Sequence, residues 1–152
     1  MPPSTKPTRR KVLVQGTAAL AFLTARPAFA EPEDMEKAIL DFTGGVAVTP
    51  GKVKIEVAPL VENGNSVTLG VRVESPMTTA YHVKTIALFN EKNPQPQIAR
   101  FHLGPRAGRA AVETRIRLAT TQHLTAIARL SDGSLWSDTV EVIVTIAACT
   151  ED

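Results

Sequence analysis

Hydrophobic and polar residues alternate along most of the chain between residues 53 and 146. A period of two is typical of β-strands that bury one face and expose the other. Seven short segments alternate in this way or are strongly apolar, and Gly, Pro and Asn residues separate them. These segments are 53–57, 67–73, 82–90, 98–103, 112–118, 124–130 and 140–146. The pattern predicts a mainly β fold, an immunoglobulin-like antiparallel β-sandwich of about seven strands.

Three local signals refine this prediction. Asn63-Gly64-Asn65 lies between two alternating runs, which favours a β-hairpin that joins residues 53–57 to 67–73. The segment 82–90 is apolar on both faces, as expected for a strand in the middle of its sheet. Ser131-Asp132-Gly133-Ser134 has the composition of a turn.

A helical period precedes the strands. Apolar residues recur at helical spacing at Met35, Ala38, Ile39 and Phe42. Acidic residues lie toward the N-terminal end of this stretch, where a helix favours negative charge. The pattern predicts one short amphipathic helix within residues 31–45, followed by the sandwich over 46–146 and a C-terminal arm over 147–152.

Residues 1–30 have the three parts of an export signal: a basic start, an apolar stretch and a small-residue cleavage site. Arg9 and Arg10 follow a hydroxyl residue and precede apolar residues, which resembles the twin-arginine pattern. We predict cleavage after Ala30 and a periplasmic protein exported already folded. A general secretory signal is the alternative. The apolar stretch is too short for a stable membrane anchor.

Composition and charge limit the classes of partner. The 152 residues suffice for one modest domain, and 43% of them are hydrophobic. The net charge of +2 is misleading, because residues 1–30 contain five of the 17 basic residues and no acidic one. The remaining 12 basic and 15 acidic residues give −3. Nucleic-acid binding is therefore not predicted.

Cys149 is the only cysteine, and it follows the last predicted strand by three residues. Three extended residues reach about 10 Å, so this thiol can enter the active site of another protein. Glu151, Asp152 and the terminal carboxylate disfavour the thiolate, which argues against a catalytic cysteine. Three interpretations remain open: a group that carries a ligand, an intermolecular disulfide, and a cysteine without function.

Other candidate chemistry is sparse. His82, His102 and His123 are far apart in sequence, and no His or Cys pair has metal-ligand spacing, so we predict no metal and no other cofactor. Common motifs of nucleotide-binding and hydrolytic enzymes are absent from the sequence, and we do not expect an enzyme. Five arginines form a basic stretch, interpreted as a solvated strand face or as a dock for an acidic partner. They are Arg106, Arg109, Arg115, Arg117 and Arg129.

Several segments together resemble the SoxY family of sulfur-oxidation carrier proteins. The similar segments are 62–67, Ser75-Pro76-Met77-Thr78, Asn93-Pro94, Phe101, 114–122 and 131–134. Their order and spacing span nearly all of the chain after the signal, and the twin-arginine-like signal agrees with them. The resemblance implies an immunoglobulin-like sandwich that pairs with a SoxZ-like subunit, itself typically without a signal.

The resemblance also implies a function for the arm. In the family, a cysteine near the C-terminus holds sulfur intermediates covalently during thiosulfate oxidation, and the matching residue here is Cys149. A c-type cytochrome complex joins thiosulfate to the thiol, and a hydrolase then releases sulfate. The protein itself is expected to be a carrier rather than an enzyme.

The arm departs from the family pattern. The family typically has Gly-Gly-Cys-Gly-Gly, whereas this chain ends in Ala147-Ala148-Cys149-Thr150-Glu151-Asp152. Glycine allows backbone conformations that alanine and threonine restrict, and the added acids repel anionic adducts. A non-catalytic paralogue that acts as a protein-interaction module is therefore the alternative to the sulfur carrier.

Overall fold

The computed structural model describes residues 32–146. The predicted signal features at Arg9, Arg10 and Ala30 lie outside the described residues, and so does the arm with Cys149.

One helix and nine strands make up the described part of the chain. The helix, α1, spans Pro32–Thr43. The strands are β1 (Val48–Pro50), β2 (Val53–Glu56), β3 (Leu60–Asn63), β4 (Val67–Val73), β5 (Val83–Asn90), β6 (Gln97–His102), β7 (Ala111–Ile116), β8 (Gln122–Leu130) and β9 (Leu135–Ile146). A single 3-10 turn, Pro105–Ala107, precedes β7.

The strands form two sheets. The larger sheet has the order β1-β9-β8-β5-β6, and β3 pairs with the C-terminal part of β9. The smaller sheet has the order β2-β4-β7. All neighbours are antiparallel except β1 and β3, which both run parallel to β9. β9, with 12 residues, is the longest of the described strands, and it pairs with three others: β1, β3 and β8.

The main core lies between the two sheets. Alternate residues of β4 are buried, and they face buried residues of the larger sheet. The largest side chains at the centre are almost completely buried: Leu69, Ile86, Leu118, Leu124 and Leu130. Burial of one apolar face in each sheet is the main stabilising contribution in such a sandwich.

Helix α1 covers part of the outer face of the larger sheet. Its apolar residues pack on a second core cluster formed by Phe42, Ala87, Phe89, Ile127 and Leu135. Gly44 ends the helix at a positive φ of 65°, and its N–H donates to the Leu40 carbonyl at 2.8 Å. Arg129 of β8 donates a hydrogen bond to the Phe42 carbonyl, which supplies the cation that the last helical turn lacks.

The sequence-based fold class is confirmed, including the short helix, the central position of β5 and the immunoglobulin-like sandwich. The structure adds two strands to the predicted seven: β1 and β3, of three and four residues. The hairpin prediction at Asn63-Gly64-Asn65 is wrong, because β3 intervenes and belongs to the other sheet. β2 and β4 are antiparallel neighbours, but the chain crosses to β9 between them. Within residues 32–146, no helix is both long and apolar enough to cross a membrane.

Candidate functional site

The last residues of β9 directly precede the segment of the chain that contains Cys149. β9 ends at Ile146, and Cys149 follows three residues later. Whatever conformation the arm takes, covalent geometry keeps the Cys149 Cα within about 11 Å of the Ile146 Cα. The residues that hold the last part of β9 therefore limit the region in which the Cys149 thiol can lie. We call the segment 143–146 and its hydrogen-bond partners the arm base.

One side of the arm base is held by β3 and the turn that follows it. The Pro59 carbonyl accepts from Ile143 N at 2.9 Å, and the Ile146 carbonyl accepts from Gly64 N at 3.0 Å. The Thr145 hydroxyl donates to the Glu62 carbonyl at 3.1 Å. Gly64 also accepts a hydrogen bond from Leu118 N at 2.9 Å, which links β9 to the end of β7. The Asn-Gly-Asn segment is therefore a clamp on the arm base.

The other side of the arm base is held by one side chain. β8 begins at Gln122, so its pairing with β9 ends at Val142. Beyond that point the Thr121 hydroxyl accepts a hydrogen bond from Val144 N at 3.0 Å and lies 3.5 Å from the Val144 carbonyl. Thr121 thus extends the sheet contact of β9 by two residues without a further strand.

Replacing Thr121 with valine should loosen the arm base. The substitution preserves the shape of the side chain but leaves the part-buried Val144 N–H without its acceptor, and loss of one such hydrogen bond costs about 0.5–1.5 kcal/mol. We expect faster hydrogen exchange at the Val144 amide and a lower free energy of unfolding. Thr121→Ser retains the hydroxyl and is the matched control. Unchanged exchange at Val144 in Thr121→Val would contradict this role.

A network of side-chain amides, with buried Gln122 at its centre, lies directly next to Thr121 in the chain. Gln122 is 2% exposed, and its Nε2 donates to Asn93 Oδ1 at 2.9 Å and to the Thr120 carbonyl at 3.1 Å. Its Oε1 accepts from Lys92 N at 2.9 Å. Asn93 also accepts from Ala119 N at 2.9 Å, so the two amides join the β5–β6 and β7–β8 loops. Fully satisfied buried networks of this kind fix the positions of the segments they join.

Three large apolar side chains at or beside the arm base are exposed. Leu60, Ile143 and Ile146 are 55%, 46% and 60% exposed. Leu60 and Ile143 are neighbours in register across β3 and β9, so their side chains lie side by side. Large exposed apolar residues that adjoin one another are typical of surfaces that contact other proteins.

A hydrogen-bonded pair of side chains, His123 and Glu91, joins the start of β8 to the β5–β6 loop. His123 Nδ1 is 3.0 Å from Glu91 Oε2, and the His123 backbone N–H donates to the same oxygen at 3.3 Å. The hydrogen bond from the His123 side chain lowers the pKa of Glu91, and the backbone hydrogen bond acts in the same direction.

Stability should therefore depend on Glu91 in acid. A carboxyl group with a lowered pKa in the folded state stabilises the fold fully above its unfolded pKa of about 4.3, and this contribution is lost as the pH falls further. We expect the urea midpoint of the wild type to fall more steeply below about pH 4.3 than that of Glu91→Gln. Parallel curves for the two proteins between pH 6 and pH 3 would show that the pair contributes nothing.

The three histidines lie on separate segments, each with its own neighbour. His82 Nδ1 is 3.1 Å from the Thr78 carbonyl, and His102 Nδ1 is 3.5 Å from Thr85 Oγ1. In the described part of the chain, no three His, Cys, Asp or Glu residues form a group that can hold a metal ion. The structure brings none of the histidines together.

The five arginines of the basic stretch separate into two places. Arg129 lies in β8 under the helix, where it contacts Phe42. The other four lie along β7 and the loops beside it, and all four are exposed. Arg117 lies just beyond the end of β7, whereas the sequence pattern predicts it within the strand.

The residues that build the arm base are not predictable from the sequence. Gly64, Asn93 and Thr121 lie within segments that carry the family resemblance, but nothing in their local pattern predicts that they meet. Thr121 contacts Val144, 23 positions away, Asn93 contacts Ala119, 26 positions away, and Gly64 contacts Ile146 near the other end of the described chain. Gly64 and Thr121 both contact β9, but no sequence pattern indicates this, and only the fold shows it.

The chain is similar to known sulfur oxidation proteins in sequence and in fold. Residues 39–149 match the family described as sulfur oxidation protein SoxY. The solved structure of the sulfur carrier protein SoxY from Chlorobium limicola f thiosulfatophilum is 27% identical, with a TM-score of 0.64. The match covers 75% of this chain and 98% of that chain. A search of curated proteins found no match.

Two superoxide reductases have the same fold at lower identity. The superoxide reductase (neelaredoxin) from Ignicoccus hospitalis is 20% identical with a TM-score of 0.56, over 77% of this chain and 95% of that chain. The superoxide reductase from Nanoarchaeum equitans is 17% identical with a TM-score of 0.53, over 63% and 100%. These two similarities establish the sandwich alone. The family match covers most of the sequence and runs through the arm base to residue 149, so the chain belongs to the SoxY family of sulfur oxidation proteins.

Proposed function

We propose that the protein is a periplasmic sulfur carrier that holds sulfur intermediates covalently on Cys149. The observation that carries this proposal is the extent of the family match, which ends on Cys149, the only thiol of the chain. The related protein from Chlorobium limicola is itself named a sulfur carrier protein. The sulfur-binding residue is then a single thiol beyond the sandwich.

The geometry of the arm base supports a carrier. Hydrogen bonds hold β9 up to Val144 on one side and up to Ile146 on the other, and Cys149 follows Ile146 by three positions. A fixed base with a short arm allows the thiol to enter the active site of another protein while the sandwich stays outside. A thiol that had to act within its own protein would need a base or a cation beside it.

The first chemical step is the oxidative attachment of thiosulfate to the thiol. The Cys149 sulfur forms a bond to the outer sulfur of thiosulfate, the thiol loses one proton, and two electrons leave. A c-type cytochrome complex accepts the two electrons. The product is a cysteine that carries a sulfur–sulfonate group.

The second step is hydrolysis of that adduct. Water attacks the terminal sulfonate, sulfate leaves with two protons, and a persulfide anion remains on Cys149. No electrons are transferred in this step. Both steps occur in active sites of other proteins, so the chain is a substrate held on a protein and not an enzyme.

A SoxZ-like subunit is the proposed stable partner. A twin-arginine signal at Arg9 and Arg10 carries folded proteins, which permits a partner without its own signal to be exported in the same complex. The exposed apolar residues Leu60, Ile143 and Ile146 offer contact area for proteins that receive the arm.

Intact-mass measurement tests this function directly. The complex is isolated from cells given thiosulfate and measured before and after treatment with a reducing agent. We expect a sulfur-containing adduct on Cys149 that disappears on reduction. An unmodified Cys149 beside a co-purifying small subunit would instead support the interaction module.

A further inference from the structure

Two edge strands, one from each sheet, contribute to the same side of the sandwich, where residues of β6 and Arg117, directly after β7, line one groove. β6 ends the larger sheet, and β7 ends the smaller one. Among the described residues, β7 pairs with β4 alone, so the hydrogen-bonding groups along its other edge have no strand partner. An edge strand of six residues presents a template about 20 Å long for a further strand.

The net charge along this edge is positive. Residues 105–117 contain Arg106, Arg109, Arg115 and Arg117 with the single acid Glu113, a net charge of +3. Residues 32–146 contain 12 basic and 12 acidic residues, so the rest of this part of the chain has a net charge of −3. The four arginines are exposed, and the ion pairs of the described residues involve Arg72 and His123 instead. An acidic partner is therefore attracted to this edge and repelled by the rest of the surface.

Apolar residues lie between the two edges. Ile98, Phe101, Leu103 and Val112 are only partly buried where they pack against the main core. Beside them lies a groove of about 440 Å³, whose lining includes Ile98, Pro94 and Arg117. A partly exposed aromatic and aliphatic strip with arginines at its rim has the composition of a protein interface.

We propose that the edge of β7 binds an acidic, extended segment of a protein partner, which adds to the smaller sheet as a fourth strand. Backbone hydrogen bonds to the edge give the segment its register, and alternate side chains reach the apolar strip. Glutamate or aspartate residues of the segment then face the arginines. The inference does not depend on the chemistry of Cys149.

The alternative role of the arginines is to keep edges of different molecules apart. The two roles differ in what charge reversal does. If the arginines only prevent self-association, the reversed protein forms oligomers and its affinity for an acidic strand is unchanged. If they bind a partner, the affinity falls.

A synthetic peptide of alternating glutamate and valine is the probe. We expect the full-length protein to bind the fluorescently labelled peptide, with NMR amide shifts confined to β7 and its flanks. The variant Arg115→Glu/Arg117→Glu should bind it at least about tenfold more weakly. The matched control, Lys37→Glu/Lys54→Glu, changes the net charge equally at exposed positions on α1 and on β2, the opposite edge of the smaller sheet, and should bind as the wild type does.

Two further peptides test strand addition. A peptide with an N-methyl group on every residue lacks all backbone donors and should not bind, and polyglutamate lacks the apolar side chains and should bind much more weakly. Equal binding of polyglutamate, or equal affinities of the two double variants, would overturn the proposal.

Discussion

Replacing Cys149 with serine should remove every sulfur adduct from the protein and leave its fold unchanged. Serine occupies nearly the same volume, but its oxygen cannot form the sulfur–sulfur bond on which the carrier depends. No second thiol is available in the chain to replace it. Intact-mass spectra of wild type and variant from cells given thiosulfate measure the loss, and thermal unfolding of both proteins checks the fold.

Thr150→Ser is the matched control for this experiment. It makes a conservative change beside the thiol and should retain the wild-type adduct. An adduct that persists in Cys149→Ser would place the sulfur on another residue and contradict the carrier proposal. If the partner still co-purifies with Cys149→Ser, pairing is independent of the thiol, as expected for an interface on the sandwich.

The composition of the arm increases the importance of its base. Glycine populates positive φ freely, whereas the residues next to Cys149, Ala148 and Thr150, do not. A segment with fewer accessible backbone conformations compensates less for a displacement of the residue from which it starts. In the proposed carrier, the hydrogen bonds of Gly64 and Thr121 to β9 therefore limit the positions that the Cys149 thiol can reach.

Local patterns predicted the elements that bury one face. Alternation along β4 gave its buried and exposed residues correctly, since every second side chain points into the core. The spacing of Met35, Ala38, Ile39 and Phe42 gave both the helix and the face that packs on the sheet. In these elements the local period and the tertiary contacts agree.

Elements without a local period were not predictable. β1 and β3 are too short to show alternation, and each exists because β9 offers it an edge far away in sequence. The Asn-Gly signal predicts a reversal but cannot distinguish a hairpin from a turn between sheets. Asn93 and Gln122 resemble ordinary loop and strand residues until the fold brings their side-chain amides within hydrogen-bond distance.

The helix and the arm base lie at opposite ends of β9. α1 packs on Leu135, the first residue of β9, and the arm leaves after Ile146, the last. At 3.3 Å per residue these ends are about 35 Å apart. Loosening one end should therefore affect stability without displacing the other.

Replacing Phe42 with alanine tests this separation and should cause a large loss of stability. The ring is 7% exposed, lies 5.9 Å from the Phe89 ring in an edge-to-face arrangement, and has the guanidinium groups of Arg100 and Arg129 within 5.0 and 5.2 Å. Loss of a buried phenylalanine costs about 3–5 kcal/mol. The cation–π contacts add to the ring's contribution.

Urea unfolding of Phe42→Ala measures this loss, and Phe42→Leu is the control, because leucine keeps most of the apolar burial and removes only the aromatic contacts. Under conditions in which Phe42→Ala is folded, the fraction of protein with a sulfur adduct on Cys149 should equal that of the wild type, since the arm base keeps its own hydrogen bonds. A loss of loading in a fully folded Phe42→Ala protein would mean that the helix acts on the arm, either through β9 or through a partner that contacts both ends.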